Sequence, residues 1–175
     1  RNTGLGARAM QFSTTGRINT AVGVDALRDN TSGNGNVAAG FEALFLNGTG
    51  SCNVGVGSFA LRNANNKSFN VAVGDSALFV YNGVNPNTAV GAGSMRTAGN
   101  TAQYNTAVGY NTMYRTTTGT YNTVMGFRAG ANITTATDNV IIGAQAAPNI
   151  TTTGQNVVIG AFALNAQSFA ALNTN

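Results

Sequence analysis

Asn19-Thr20-Ala21-Val22-Gly23-Val24-Asp25-Ala26-Leu27 is one instance of a pattern, Asn-(Thr/Val)-x-x-Gly-x-x-(small)-(apolar), that recurs ten times in the 175-residue chain. Its asparagines are Asn2, Asn19, Asn36, Asn53, Asn70, Asn87, Asn105, Asn122, Asn139 and Asn156, seventeen residues apart except for one step of eighteen between Asn87 and Asn105. Four residues after each stands a glycine: Gly6, Gly23, Gly40, Gly57, Gly74, Gly91, Gly109, Gly126, Gly143 and Gly160. A fixed short period means stacked equivalent units rather than a globule around one central core.

The residue after each asparagine is Thr or Val in all ten repeats, a β-branched choice that suits a pleated strand. Two residues further on stand Leu5, Val22, Ala39, Val56, Val73, Val90, Val108, Met125, Ile142 and Ile159. Alternation puts both positions on one strand face. The residue between them is Gly or Ala until Val124, Ile141 and Val158, so the strand has a bulky face, expected to point inward, and a small one. After the glycine, an invariant small residue and then Leu or Met (Gly130 and Ala147 excepted) predict a second short strand that also points an apolar chain inward. The remaining residues are rich in Asn, Thr, Ser and Gly, the chemistry of turns.

One repeat thus reads as one coil of an all-β parallel β-solenoid, a β-roll of seventeen-residue coils. At roughly 4.8 Å per coil, ten coils make a rod of about 48 Å. The periodic Asn and Gly have structural roles in this reading: amide ladders along the rod, and a bend that a Cβ would strain. The eighteen-residue step is expected to be absorbed by a loop between Met95 and Tyr104. The chain reads as a single repeat domain over 1–175. It begins at Arg1-Asn2 inside a repeat and ends on Asn173-Thr174-Asn175, the start of an eleventh coil, so a piece of a longer fibre is expected.

A coil with three or four sizeable apolar residues has a thin interior. The small strand face, apolar as well, suggests close approach to another copy of the chain, and cyclic closure would cover it. Asn19-Thr20-Ala21-Val22-Gly23-Val24-Asp25-Ala26-Leu27 and Asn105-Thr106-Ala107-Val108-Gly109-Tyr110 resemble the repeats of trimeric phage tail-fibre shafts and related bacterial fibre proteins. More loosely, they are similar to the head repeats of trimeric autotransporter adhesins, from which the longer period and the Ala-Leu after the glycine depart. The resemblance covers the whole chain. It implies left-handed coils and a homotrimeric fibre, intertwined or side by side.

Charged residues make up 8% of the chain and the net charge is +4, with nine Lys and Arg against five Asp and Glu. That is an ordered, polar-uncharged, fibrous composition, since β-branched and aromatic residues are too plentiful for disorder. No apolar run is long enough for a helical membrane span, and nine basic residues spread over a rod do not make a nucleic-acid surface. Cys52 is the single cysteine and reads as a passive small side chain.

Catalytic material is sparse. There is no His, and the acids are Asp25, Asp29, Glu42, Asp75 and Asp138. Asp25 and Glu42 share a repeat position in adjacent coils and could mimic a glycosidase pair; flanked by Arg8 and Arg28, they read more simply as a solvated charge ladder. No cofactor or metal is expected, because His and Cys clusters and calcium-type loops are missing. The Asn-x-Ser/Thr sites at Asn30, Asn47, Asn66, Asn132 and Asn149 read as turns. The ninth residue after the asparagine gives a stripe, Arg28, Phe45, Arg62, Phe79, Arg96 and Tyr114, in which cations alternate with rings. Such a ribbon suits cation–π packing and could also grip sugars or anionic polymers.

The resemblance and the stripe together lead to an expected role: a structural segment of a trimeric extracellular adhesive fibre, in a virion tail or on a bacterial surface. It would attach to a cell-surface glycan or other receptor, with no direct membrane insertion. The alternatives are an ice-binding solenoid, with Thr3, Thr20, Thr88, Thr106 and Thr123 in one rank, and a polysaccharide-degrading spike segment.

Overall fold

A computed structural model describes residues 1–81, 86–99 and 101–165. The start of an eleventh coil at Asn173 lies outside them. The chain forms a parallel β-solenoid whose coils each contribute one strand to a ten-stranded sheet: β1 (Thr3–Leu5), β2 (Thr20–Val22), β3 (Val37–Ala39), β4 (Val54–Val56), β5 (Val71–Val73), β7 (Asn87–Val90), β9 (Asn105–Val108), β10 (Thr123–Met125), β11 (Val140–Ile142) and β12 (Val157–Ile159). Among the described residues a second sheet holds β6 (Val80–Tyr81) and β8 (Thr97–Ala98). Register follows the repeat throughout, for example Thr20↔Val37, Ala21↔Ala38 and Val22↔Ala39.

The strand faces are the reverse of the sequence expectation. The small residue is the interior one: Ala21, Ala38, Ala72, Ala89, Ala107, Val124 and Ile141 are wholly buried. The β-branched residue before it and the aliphatic residue after it point outward, with Val22 41% and Met125 46% exposed. The asparagine decides this. Its side chain is buried, and strand alternation then puts the second residue after it on the same, inner side. Space agrees with this parity, because the interior already holds the large residue of the post-glycine segment. A Cβ added to Gly55 would sit 3.2 Å from Leu44 Cγ, and one added to Gly4 would sit 2.9 Å from Met10 Cε.

Where a second short strand was expected after the glycine, the chain instead makes turns in which non-glycine residues adopt positive φ, such as Asp25 (57°), Leu27 (51°), Glu42 (52°) and Leu44 (52°). A strand would bury only one of two consecutive side chains. The left-handed residues let Ala26 and Leu27, or Ala43 and Leu44, be buried together. The conformation costs on the order of 1 kcal/mol at each such residue, offset by hydrogen bonds to both neighbouring coils: Leu27 N–H donates to Ala43 O (2.8 Å) and Asp25 N–H to Ala7 O (2.9 Å).

The core is accordingly a thin column, Ala against Leu or Met, and its volume is shared between positions. In the coils that begin at Asn122 and Asn139 the large residue shrinks to Gly130 and Ala147. The facing strand residue there grows to Val124 and Ile141, and Ile133 and Ile150 move into the interior. A Cβ on Gly130 would meet Ile133 Cδ1 at 2.8 Å and Val124 Cγ1 at 3.3 Å.

Two asparagine ladders fix the register. Each strand asparagine accepts the backbone N–H of the next on its Oδ1, and most accept the next side-chain Nδ2 as well; Asn36 N–H and Nδ2 reach Asn19 Oδ1 at 2.9 and 3.2 Å, whereas Asn53 turns its Nδ2 to Asn47 Oδ1 and Lys67 O. The same Nδ2 closes its own coil on Gly50 O at 2.8 Å. Asn30 and Asn47, both buried, begin a second ladder, with Nδ2 of Asn47 donating to Asn30 Oδ1 at 2.8 Å. These two are therefore interior residues rather than simple turn residues. The extra residue of the long coil falls between Ala98 and Ala102: Asn87 Nδ2 closes on Ala102 O, fifteen residues ahead, where Asn19 closes on Gly33, fourteen ahead. The strand register Asn87↔Asn105 is kept.

Candidate functional site

Three surfaces stand out. The first is the outward face of the ten-stranded sheet. Its twenty positions hold only Thr, Val, Leu, Ala, Met and Ile, without one charge. Exposed ring pairs flank it: Tyr104 stacks on Tyr121 at 5.0 Å between centroids, and Tyr110 on Phe127 at 5.7 Å. The threonines of the ice-binding alternative lie on this face and point outward, not inward, with Thr20, Thr106 and Thr123 exposed.

The second surface is the ring and cation stripe, whose six residues the coils bring together in order. Arg28 lies 3.8 Å from the Phe45 centroid, Arg62 4.8 Å from the same ring, and Arg96 5.2 Å from Phe79 and 5.9 Å from Tyr114. Two of the guanidinium groups also hold acids: Arg28 Nε donates to Asp29 at 2.7 Å, and Arg62 Nε to Glu42. The hydrogen bond to Asp29 raises the Arg28 pKa above its ordinary value.

The carboxylates of the glycosidase-like pair are both held by arginines. Glu42 takes Arg62, and Asp25 takes Arg8 at 2.5 Å from the preceding coil. Asp25 is not solvated as expected but 2% exposed, and its Oδ1 is buried without a hydrogen-bond partner. Cys52 is exposed and free. Among the described residues no His, Cys, Asp and Glu cluster is arranged to hold a metal, and no helix is long and apolar enough to cross a membrane.

The third surface escaped the sequence reading. Beyond Tyr114 the stripe position shrinks to Ala131 and Pro148, leaving an open groove of about 350 Å³. One wall is the ladder Asn111, Arg128, Gln145, and the other is Arg115, Asn132, Asn149. Among the described residues neither arginine meets a carboxylate. The signal was present as the end of the stripe, where two small residues follow six large ones.

No family model matches the chain, and neither a curated protein nor a solved structure does.

Proposed function

We propose that the chain is a structural segment of a homotrimeric extracellular fibre, of the tail-fibre or surface-adhesin kind, that takes part in attachment to a cell surface. The observation that carries this reading is the outward sheet face. It is uncharged and largely apolar, fifteen of its twenty positions being Val, Leu, Ala, Met or Ile, flanked by aromatic rings and continuous over ten strands, about 43 Å at β-spacing. Depletion of charge with enrichment of rings is the composition of an interface core, and a rod that bears one such stripe is satisfied by parallel copies around an axis. Threefold closure and left-handed coils are what the resemblance to trimeric fibre repeats implies. The packing surface, however, is this bulky face and not the small one, which is interior.

Disulfide trapping tests the arrangement. In a Cys52→Ser background, Val73→Cys should form inter-chain disulfides on mild oxidation, because an outward residue in the middle of the sheet lies beside its counterpart. Ala72→Cys, buried in the coil, should give none. Absence of cross-links at Val73 and at its neighbours Val56 and Val90 would refute packing through this face.

One observation favours a second reading. Threonines in rank on an exposed parallel sheet face suit an ice-binding surface, and here Thr20, Thr106 and Thr123 are exposed. The two readings compete for one face, so a monomer with thermal hysteresis would support the second and a trimer without it the first.

A further inference from the structure

The groove beyond the stripe differs from the rest of the rod in what it offers a ligand. Along the stripe and beside Asp25 the arginines are engaged: Arg28 and Arg62 hold acids and rings, Arg8 holds Asp25, and Arg96 donates to Tyr114 Oη at 3.2 Å while facing two rings. Arg115 and Arg128 are exposed, meet no carboxylate among the described residues and line opposite walls of one hollow. Beside them the walls carry amides, which both donate and accept. Asn132 Nδ2 reaches Asn149 Oδ1 only at 3.5 Å, the limit of a hydrogen bond, so these amides have capacity to spare. Between the walls stand Ala131, Pro148 and the Tyr114 ring, a low apolar strip. Across the Arg115, Asn132, Asn149 ridge a second hollow of about 410 Å³ is bordered by Thr134 and Thr151.

We infer that this groove binds a carboxylate-bearing saccharide, a uronic-acid unit of an acidic glycan. Guanidinium forks match carboxylates in paired hydrogen bonds. The amide ladders match ring hydroxyls, and the apolar strip accepts the C–H face of a pyranose. The volume lies within the range of about 300–1,000 Å³ typical of small-molecule sites. A bare inorganic anion would leave the amides and the strip unused. A nucleic acid would find only two cations where its backbone calls for a run of them. The inference deepens the proposed attachment role and rests on that reading.

The test uses the whole chain, tetragalacturonate, the corresponding neutral tetrasaccharide and inorganic phosphate, in calorimetric titration, with the solution mass measured on the same sample. Tetragalacturonate should bind below about 1 mM and the neutral sugar about tenfold or more weakly. Arg115→Gln with Arg128→Gln should lower tetragalacturonate affinity at least about tenfold, and so should Ala131→Phe, which fills the groove but keeps both charges. Arg17→Gln, exposed elsewhere on the rod, should change it little. Equal affinity for the neutral sugar, phosphate binding as tight as tetragalacturonate, or no binding at about 10 mM would overturn the inference. A trimer that fails to bind would sink this site while the fibre reading stands. A monomer would sink the fibre reading whatever the titration gives.

Discussion

Asn36 and Asn19 are joined twice, backbone N–H and side-chain Nδ2 of the first both donating to Oδ1 of the second, at 2.9 and 3.2 Å. Because Asn36 Nδ2 also donates to Gly50 O and its Oδ1 accepts the N–H of Asn53, one side chain ties three coils and closes its own. Asn36→Ala would strand the Asn53 N–H in the interior, whereas the Gly50 carbonyl would keep its bond from Asn47 Nδ2 at 2.6 Å. The loss should be about 1–3 kcal/mol in chemical denaturation, the usual range for one buried group left unsatisfied. Asn36→Asp keeps the acceptors and, when protonated, one donor. Burial raises the carboxyl pKa of that variant, so its stability should be highest at low pH and fall as pH rises through the folded value. A pH-independent Asn36→Asp variant would contradict the closed, buried geometry.

The contact of Gly130 with Ile133 and Val124 makes the core volume a shared quantity. Gly130→Leu restores the residue type of most other coils, yet here it should destabilise by about 1–3 kcal/mol through overpacking. Adding Ile133→Ala and Val124→Ala should recover much of the loss, with a coupling of about 0.5–3 kcal/mol. Additive losses in thermal melts of the single, double and triple variants would mean that these positions do not face one another.

Two kinds of glycine are distinguished by what lies beside them. Gly74, at φ +127°, has the Gly91 carbonyl carbon 2.6 Å from where a Cβ would stand, and Ala92 N at 2.8 Å. Gly74→Ala therefore forces two coils apart and should cost about 2 kcal/mol or more, at the upper end of strain effects. Gly35, at φ +66°, has only Cys52 Sγ nearby, at 3.6 Å. Gly35→Asn should cost well under about 1 kcal/mol, since Asn tolerates that conformation. The comparison is made by urea denaturation, and equal losses would contradict the assignment of the bend glycines to direct coil-to-coil contact.

Among the described residues Tyr81 is the one large aromatic side chain that is wholly buried; its hydroxyl accepts from Asn87 Nδ2 at 2.9 Å. Burial, only partly countered by that hydrogen bond, pushes its pKa up to about 12. The unfolded chain loses the phenolic proton near the ordinary value of about 10, whereas the folded chain keeps it. Stability from this group is thus complete below pH of about 10 and declines as pH rises toward about 12. Denaturation midpoints across that window should fall for the wild type and fall less steeply for Tyr81→Phe. Identical slopes would place the hydroxyl in solvent.

Much of the fold was legible in the chain. The period fixed the solenoid and the register, and the ninth-residue stripe assembled as read, with Arg28, Phe45 and Arg62 in face-to-face order. In these strands bulk is not the mark of the interior, which is why the faces are the reverse of the expectation. Two residues held the correct parity: Asn19, whose amides need partners inside the coil, and Ala21, two positions along on the same face. The exchange of Leu27-like bulk for Gly130 just where Ala21-like smallness becomes Val124 pointed to the same contact. The left-handed turn after the glycine had no such signal, since Leu, Asp and Phe occupy a conformation that sequence patterns reserve for Gly and Asn. The groove opens where the stripe position holds the small residues Ala131 and Pro148 between walls of longer side chains, an absence of bulk that a search for charged or aromatic residues passes over.

The central claim is that the uncharged outward sheet face joins copies of the chain, and the most direct measurement is the solution mass by light scattering over a range of concentrations. The account predicts a constant mass of three times the 17.8 kDa of one chain. A constant mass of one chain, with the sheet face left in water, would contradict it.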